Sequence, residues 1–317
     1  VLIVAALGGN ALLRRGEALT HERQERNLAV ACDALAPLAR EHPLVLTHGN
    51  GPQVGLLALE DENHGRFPLD VLDAETEGMI GYLLERELRS RLPGREVATL
   101  LSEVVVDPAD PAFGRPSKPV GPVYSLEQAR HVRRTHGWTL APDGDGFRRV
   151  VPSPEPLEIL GLDAVGRLLD SGALVICGGG GGIPVVSEPG GRLRGVEAVI
   201  DKDLLAALLA ERLGADLLLV LTDVDAVVRD WGTDAATPIA LVTPQELRRL
   251  DFAAGSMRPK VEAACRFVER TGGEAAIGSL TDAATLAARG GTRVVPARPA
   301  SRRRGRAPAR PRPRSRR

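Results

Sequence analysis

The sequence predicts an α/β protein built on a mainly parallel sheet. Hydrophobic residues fill 43% of the 317 positions while aromatics fill 3%, so the core must be made of Ala, Leu, Val and Ile. Such aliphatic runs are typical of strands buried on both faces. Short apolar runs alternate with stretches of helical periodicity, the pattern of βαβ units. Glycine clusters directly follow apolar runs, at the carboxyl ends of the strands.

The elements follow in order. Residues 1–7 form a first strand running into Gly8-Gly9-Asn10; the run is too short for a secretory signal and has no basic flank. Residues 20–40 place Leu28, Ala31, Leu35 and Leu38 on one helical face. Residues 43–47 form a second strand ending in His48-Gly49-Asn50-Gly51-Pro52, with a helix over 53–60. A further helix covers 74–92 and a strand covers 97–106. Residues 107–156 break the alternation and are dense in Pro. Within them, 137–140 and 146–151 flank a turn at Pro142-Asp143-Gly144-Asp145. A small subdomain is expected there, standing off the sheet as a lid. The alternation resumes with a strand at 173–177, glycines at 178–182, a helix at 201–213 and a strand at 217–221 ending in Thr222-Asp223-Val224-Asp225. Helices at 243–250 and 257–271 and strands at 274–277 and 292–295 complete the sheet.

Composition excludes several classes. No run reaches the roughly 18 apolar residues of a membrane span. Cys32, Cys177 and Cys265 are isolated, so neither a disulfide framework nor a zinc site is indicated. Cys177 and Cys265 read as small buried hydrophobes, and a reducing cytoplasm fits. The formal net charge is zero, but residues 301–317 carry nine Arg and no acid, leaving 32 basic against 41 acidic residues elsewhere. That tail is expected to be disordered. Its Arg could touch nucleic acid non-specifically, and a dispensable extension is the simpler reading.

Lysine usage is the sharper signal. Of 41 basic residues, 38 are Arg and three are Lys: Lys118, Lys202 and Lys260. A lysine kept in such a background suggests a task for a compact, mobile ammonium rather than a planar fork. Lys202 lies between Asp201 and Asp203 at a helix start, where Asp201 suits an N-cap and Asp203 suits an organiser of lysine heads. Lys260 opens the helix after Gly255-Ser256-Met257-Arg258-Pro259. Lys118, flanked by Ser117 and Pro119, lies on the expected lid.

Gly8, Gly9 and Asn10, then Gly49, Asn50 and Gly51, then Gly178, Gly179 and Gly180 mark three loops whose backbone amides could approach phosphate oxygens. No GxxxxGK[ST] is present, which excludes a P-loop. Gly49-Asn50-Gly51-Pro52-Gln53-Val54 lacks the last glycine of a dinucleotide fingerprint. Lysines and backbone donors together suit phosphoryl transfer by charge neutralisation, with no covalent nucleophile. Mg²⁺ would accompany ATP or ADP, and the sequence names no direct metal ligand, so phosphates and water would hold it.

These segments, in this order, resemble the amino-acid kinase superfamily and its carbamate kinase branch over roughly residues 1–296. The similarity is carried by Ala6-Leu7-Gly8-Gly9-Asn10, Thr47-His48-Gly49-Asn50-Gly51-Pro52, Pro116-Ser117-Lys118-Pro119, residues 177–185, Asp201-Lys202-Asp203, Leu221-Thr222-Asp223-Val224-Asp225, and Gly255-Ser256-Met257-Arg258-Pro259-Lys260. The resemblance implies a three-layer α/β/α sandwich with a protruding lid, and a homodimer. It implies an acceptor lobe at 1–106 and 157–215, the lid at 107–156, and a nucleotide lobe at 216–300. It also implies phosphoryl transfer between ATP and carbamate, giving ADP and carbamoyl phosphate, in arginine catabolism. In that pattern Lys202 and Lys260 stabilise the moving group, Asp203 orients them and Lys118 arrives from the lid. Thr222, Asp223, Val224 and Met257 hold the nucleotide, beside Lys202 and Lys260.

Two departures stand out. Other amino-acid kinases carry Lys where Ala6 stands, which favours the carbamate branch. Arg229 stands near where an aromatic often packs by the adenine. Three other readings stay open: another small acceptor, a non-catalytic nucleotide sensor, and a nucleic-acid binder using the tail.

Overall fold

The computed structural model describes residues 1–13, 17, 20–60, 67–252 and 257–297, the side chains of residues 10 and 11 excepted. The expected disordered tail, Gly255, Ser256 and the Asn10 side chain lie outside the described residues.

An eight-stranded sheet forms the middle layer, in the spatial order Leu241–Val242, Thr292–Val294, Glu274–Ser279, Leu217–Thr222, Ile3–Leu7, Leu44–His48, Leu174–Ile176, Val97–Thr99. Its pairings are parallel except that of Glu274–Ser279 with Thr292–Val294. Side-chain alternation explains the layers. Ile3, Ala5, Leu7, Leu44, Leu46, Leu217 and Leu219 pack on one face with Leu28 and Leu35 of helix His21–Glu41 and Ile80, Leu84 and Leu88 of helix Leu69–Arg91. Val4, Ala6, Val45, Leu218 and Val220 pack on the other with Leu205 and Leu209 of helix Lys202–Leu213 and Phe267 of helix Met257–Thr271. Both faces are covered, so the strands show continuous aliphatic runs rather than alternating polarity. The three cysteines are buried and free.

Register fixes where the site lies. Leu7 pairs with His48 on one side and Leu221 on the other, so Gly8, Gly49 and Thr222 stand side by side at the carboxyl ends of three neighbouring strands.

The expected strand over 97–106 is divided. Val97–Thr99 borders the large sheet, whereas Glu103–Val106 joins a separate four-stranded sheet with Ile183–Ser187, Pro156–Ile159 and Leu193–Gly195. The break falls at Ser102, whose amide donates to Glu77 Oε2 at 3.2 Å and whose Oγ accepts from the Gly178 amide at 2.8 Å. Those bonds take the chain out of the first ladder.

Residues 118–151 carry their own three-stranded antiparallel sheet, Lys118–Tyr124, Gly146–Val151 and Leu140–Asp143. They also hold a helix absent from the sequence reading, Leu126–His136. Ser125 and Gln128 form its capping box and Gly137 ends it at φ 69°. Tyr124, Ala129 and Val132 make a small core with Trp138, Leu140 and Phe147. The subdomain docks on helix Gly51–Glu60, where a Cβ on Gly55 would lie 1.9 Å from the Gly121 Cα. Only glycine permits that approach.

Candidate active site

The site is built around the start of helix Lys202–Leu213. Asp201 is its N-cap, and its Oδ1 accepts from the amides of Asp203 at 2.9 Å and Leu204 at 3.4 Å. This fixes the helix end and presents the next side chains to the strand edge.

Asp203 lies between two of the three lysines. Its Oδ1 accepts from Lys202 Nζ at 2.5 Å and its Oδ2 from Lys260 Nζ at 3.0 Å. Its side chain is 5% exposed, against 9% for Lys202 and 14% for Lys260. The third lysine arrives from the subdomain: Lys118 Nζ donates to Asp201 Oδ2 at 2.5 Å. Three ammonium groups separated by up to 142 positions are thus gathered on carboxylates two residues apart.

Electrostatics follow from burial and proximity. Burial pushes the Lys202 ammonium down to about 8, with the Lys260 charge acting the same way and Asp203 opposing both. Burial also works against the Asp203 carboxylate, yet the two lysines hold it well below the usual carboxylate range. Lys260, less enclosed, is raised: Asp203 more than reverses the effect of burial.

The glycine loops border this cluster. A Cβ on Gly49 would lie 3.4 Å from the Gly9 backbone and 3.5 Å from the Lys202 Cδ, so both loops abut the lysine stem. The Gly8 amide donates to the Leu221 carbonyl at 3.1 Å, tying the first loop to the strand that leads into Thr222 and Asp223. Thr222 Oγ1 donates to Asp223 Oδ1 at 3.1 Å, and the Asp223 charge reaches Lys260. Val224 follows in the turn. Met257 starts the Lys260 helix and packs against the core. Gly51 begins helix Gly51–Glu60. Arg229 lies in a short hairpin strand paired with Thr237.

The five-glycine run has another use alongside the one its sequence suggests. Gly178, Gly180, Gly181 and Gly182 all have positive φ. The Gly178 and Gly179 amides are committed to Ser102 Oγ and, at 2.8 Å, to Glu77 Oε1. A Cβ on Gly180 would fall 2.2 Å from Asn50 Nδ2. The run is therefore a packed scaffold beneath the second loop.

Sequence reasoning missed the polar residues under that loop. Asn50 Nδ2 donates to Asp73 Oδ1 at 3.0 Å and Thr76 Oγ1 at 2.9 Å, with Glu77 beside them. Burial raises the Asp73 carboxyl well above its usual range and pushes Glu77 up to about 8, against the amides that bond it. His48 is buried, and burial pushes it down to about 4, so its ring is neutral. Asp73, Thr76 and Glu77 recur at helical spacing on a face that is otherwise apolar. That buried polar stripe was the available signal.

Fold and site together describe a phosphotransferase. A model of the amino acid kinase family matches residues 1–279, and the chain belongs to that family. It is a kinase. A carbamate kinase of Haemophilus influenzae is 51% identical over 92% of this chain and 96% of its own length. One of Rhizobium meliloti is 54% identical over 88% of each chain. Among solved structures, the Giardia lamblia carbamate kinase bound to AMP-PNP superposes with a TM-score of 0.84 at 36% identity, covering 93% of this chain and 98% of that one.

Proposed function

We propose that this kinase transfers a phosphoryl group reversibly between ATP and carbamate, forming ADP and carbamoyl phosphate. The observation that carries the reading is the gathering of Lys118, Lys202 and Lys260 on Asp201 and Asp203, beside the Gly8-Gly9 and Gly49 loops. Three ammonium groups against two carboxylates leave one positive charge. The start of the helix adds its own positive end. A phosphoryl group spreading charge over its oxygens is complementary to such a centre.

In this reading Lys202 and Lys260 neutralise the moving group and the ADP phosphates, Asp203 holds them apart in a fixed geometry, and Lys118 meets the acceptor side from the lid. Gly8, Gly9, Asn10, Gly49, Asn50 and Gly51 line the acceptor and transfer side; Thr222, Asp223, Val224 and Met257 line the nucleotide side. The lobes meet at the pairing of Ile3–Leu7 with Leu217–Thr222. Asp203 and Asp201 are already committed to lysines, so Mg²⁺ would be held mainly by nucleotide phosphates and water, and would supply further charge neutralisation there. The reading extends to a cytoplasmic homodimer working toward ATP in arginine catabolism.

A coupled assay tests it: ADP, Mg²⁺ and carbamoyl phosphate are supplied and ATP is followed, with acetylglutamyl phosphate and aspartyl phosphate as rival donors. ATP formation from carbamoyl phosphate alone is expected. Turnover of a rival in its place, or ADP binding without any exchange, would overturn the assignment.

A further inference from the structure

We propose that Asp201 is a positioning residue that latches the 118–151 subdomain to the helix carrying Lys202 and Asp203, and thereby sets the Lys118 ammonium. Two separate contacts join the subdomain's root to this segment. Lys118 starts one root strand and donates to Asp201 Oδ2 at 2.5 Å. The other root strand pairs Val151 with Lys118 and runs into Pro152, whose carbonyl accepts from the Val199 amide at 2.9 Å. Val120, Val151 and Val199 share one apolar cluster with Val54 and Ala58 of the underlying helix. Root, helix 51–60 and residues 199–201 thus form a single packed unit, and the ion pair is its polar corner.

The two oxygens of Asp201 do different work. Oδ1 accepts the first free amides of helix Lys202–Leu213, while Oδ2 holds Lys118. The carboxylate is a rigid plane, so any displacement of Lys118 is felt at the cap, and any displacement of the helix end is felt at the lysine. Asp201 is 11% exposed and Lys118 27%, which keeps the pair from being a loose surface contact. The arrangement repeats what Asp203 does for Lys202 and Lys260. Each carboxylate fixes one side of the transferred group, and the ammonium of Lys118 keeps donors to spare for an incoming oxygen.

This rests on the phosphoryl-transfer reading, and the experiment separates the two. Asp201→Asn and Asp201→Ser both retain an N-cap acceptor; Asn loses the charge and Ser also loses the reach to Lys118. Hydrogen exchange on the full chain without ligand should show faster exchange in 118–124 and 146–151 in both variants, with 204–213 still protected. In the coupled assay, both should lower kcat by about 10- to 100-fold, the scale of a misplaced catalytic group. In a Lys118→Ala background, adding either change should cost less than a further twofold. Wild-type exchange in the two root strands, or losses that multiply in the double variants, would overturn the latch. If the wild type makes no ATP from carbamoyl phosphate, the substrate reading fails while the exchange result still decides the latch.

Discussion

Asp203→Asn tests the electrostatic core of the site. The side chain keeps its shape and loses its charge, leaving two enclosed ammonium groups with no carboxylate between them. In the native protein Asp203 lies 2.5 Å from Lys202 Nζ and 3.0 Å from Lys260 Nζ. Removing one partner of a buried ion pair costs about 3–5 kcal/mol. At about 2 °C per kcal/mol for a chain of this size, that is a fall of roughly 6–10 °C in Tm. The loss has a ceiling, because Lys202 can shed its proton. Its ammonium is already down at about 8, below the 10.5 of an ordinary lysine. Protonated burial of Lys202 therefore costs the wild type stability below pH 8, and the cost is relieved as pH rises from 8 toward 10.5, where the unfolded chain binds more protons than the native one. In the Asn variant Lys202 releases its proton at still lower pH. Between that point and pH 8 the wild type alone keeps the proton, so the stability gap narrows as pH rises to 8. At pH 7 a neutral Lys202 no longer neutralises the moving group, and kcat should fall by about 10²–10³-fold, the loss of one transition-state donor. Thermal melts at pH 6, 7 and 9 and the coupled assay measure both. A near-native rate at pH 7, or a gap that does not change with pH, would show that Asp203 does not hold the lysines in this way.

Three further outcomes are expected. Lys202→Ala and Lys260→Ala should each lower kcat by about 10² or more in the coupled assay, as loss of one donor to the transferred group predicts; rates within tenfold of wild type in both would remove them from the chemistry. Gly55→Ala lies inside a helix, where Ala is normally worth about 1 kcal/mol, yet its Cβ would sit 1.9 Å from Gly121 Cα; limited proteolysis should therefore cut the 118–151 subdomain faster, and a variant as resistant as wild type would sink the docking argument. Glu77→Gln replaces an oxygen that accepts an amide with an NH₂ facing it, costing about 1–3 kcal/mol in chemical denaturation. Since Glu77 is pushed from 4.5 up to about 8, its contribution is present below pH 4.5 and is lost as pH rises through 8; the Gln variant should lack that dependence.

Much of this was legible in the sequence because it is local. Apolar runs broken by glycines locate strands and their ends, and a scarcity of Lys picks out three residues that the fold brings together. Asp201 also announces itself as a helix cap. What could not be read is pairing across distance. Nothing near Asp201 indicates that its second oxygen will meet a lysine 83 positions earlier. The division of 97–106 was hidden for the same reason, since Ser102 is diverted by Glu77 and Gly178, each far from it in sequence. Residues 178–182 show how a local signal can be incomplete. Positive φ and close approach both demand glycine, and phosphate binding is only one cause of close approach. Here the approaching groups are the protein's own His48, Glu77 and Asn50. A glycine run establishes that something comes near the backbone, and only the contacts across the fold say what.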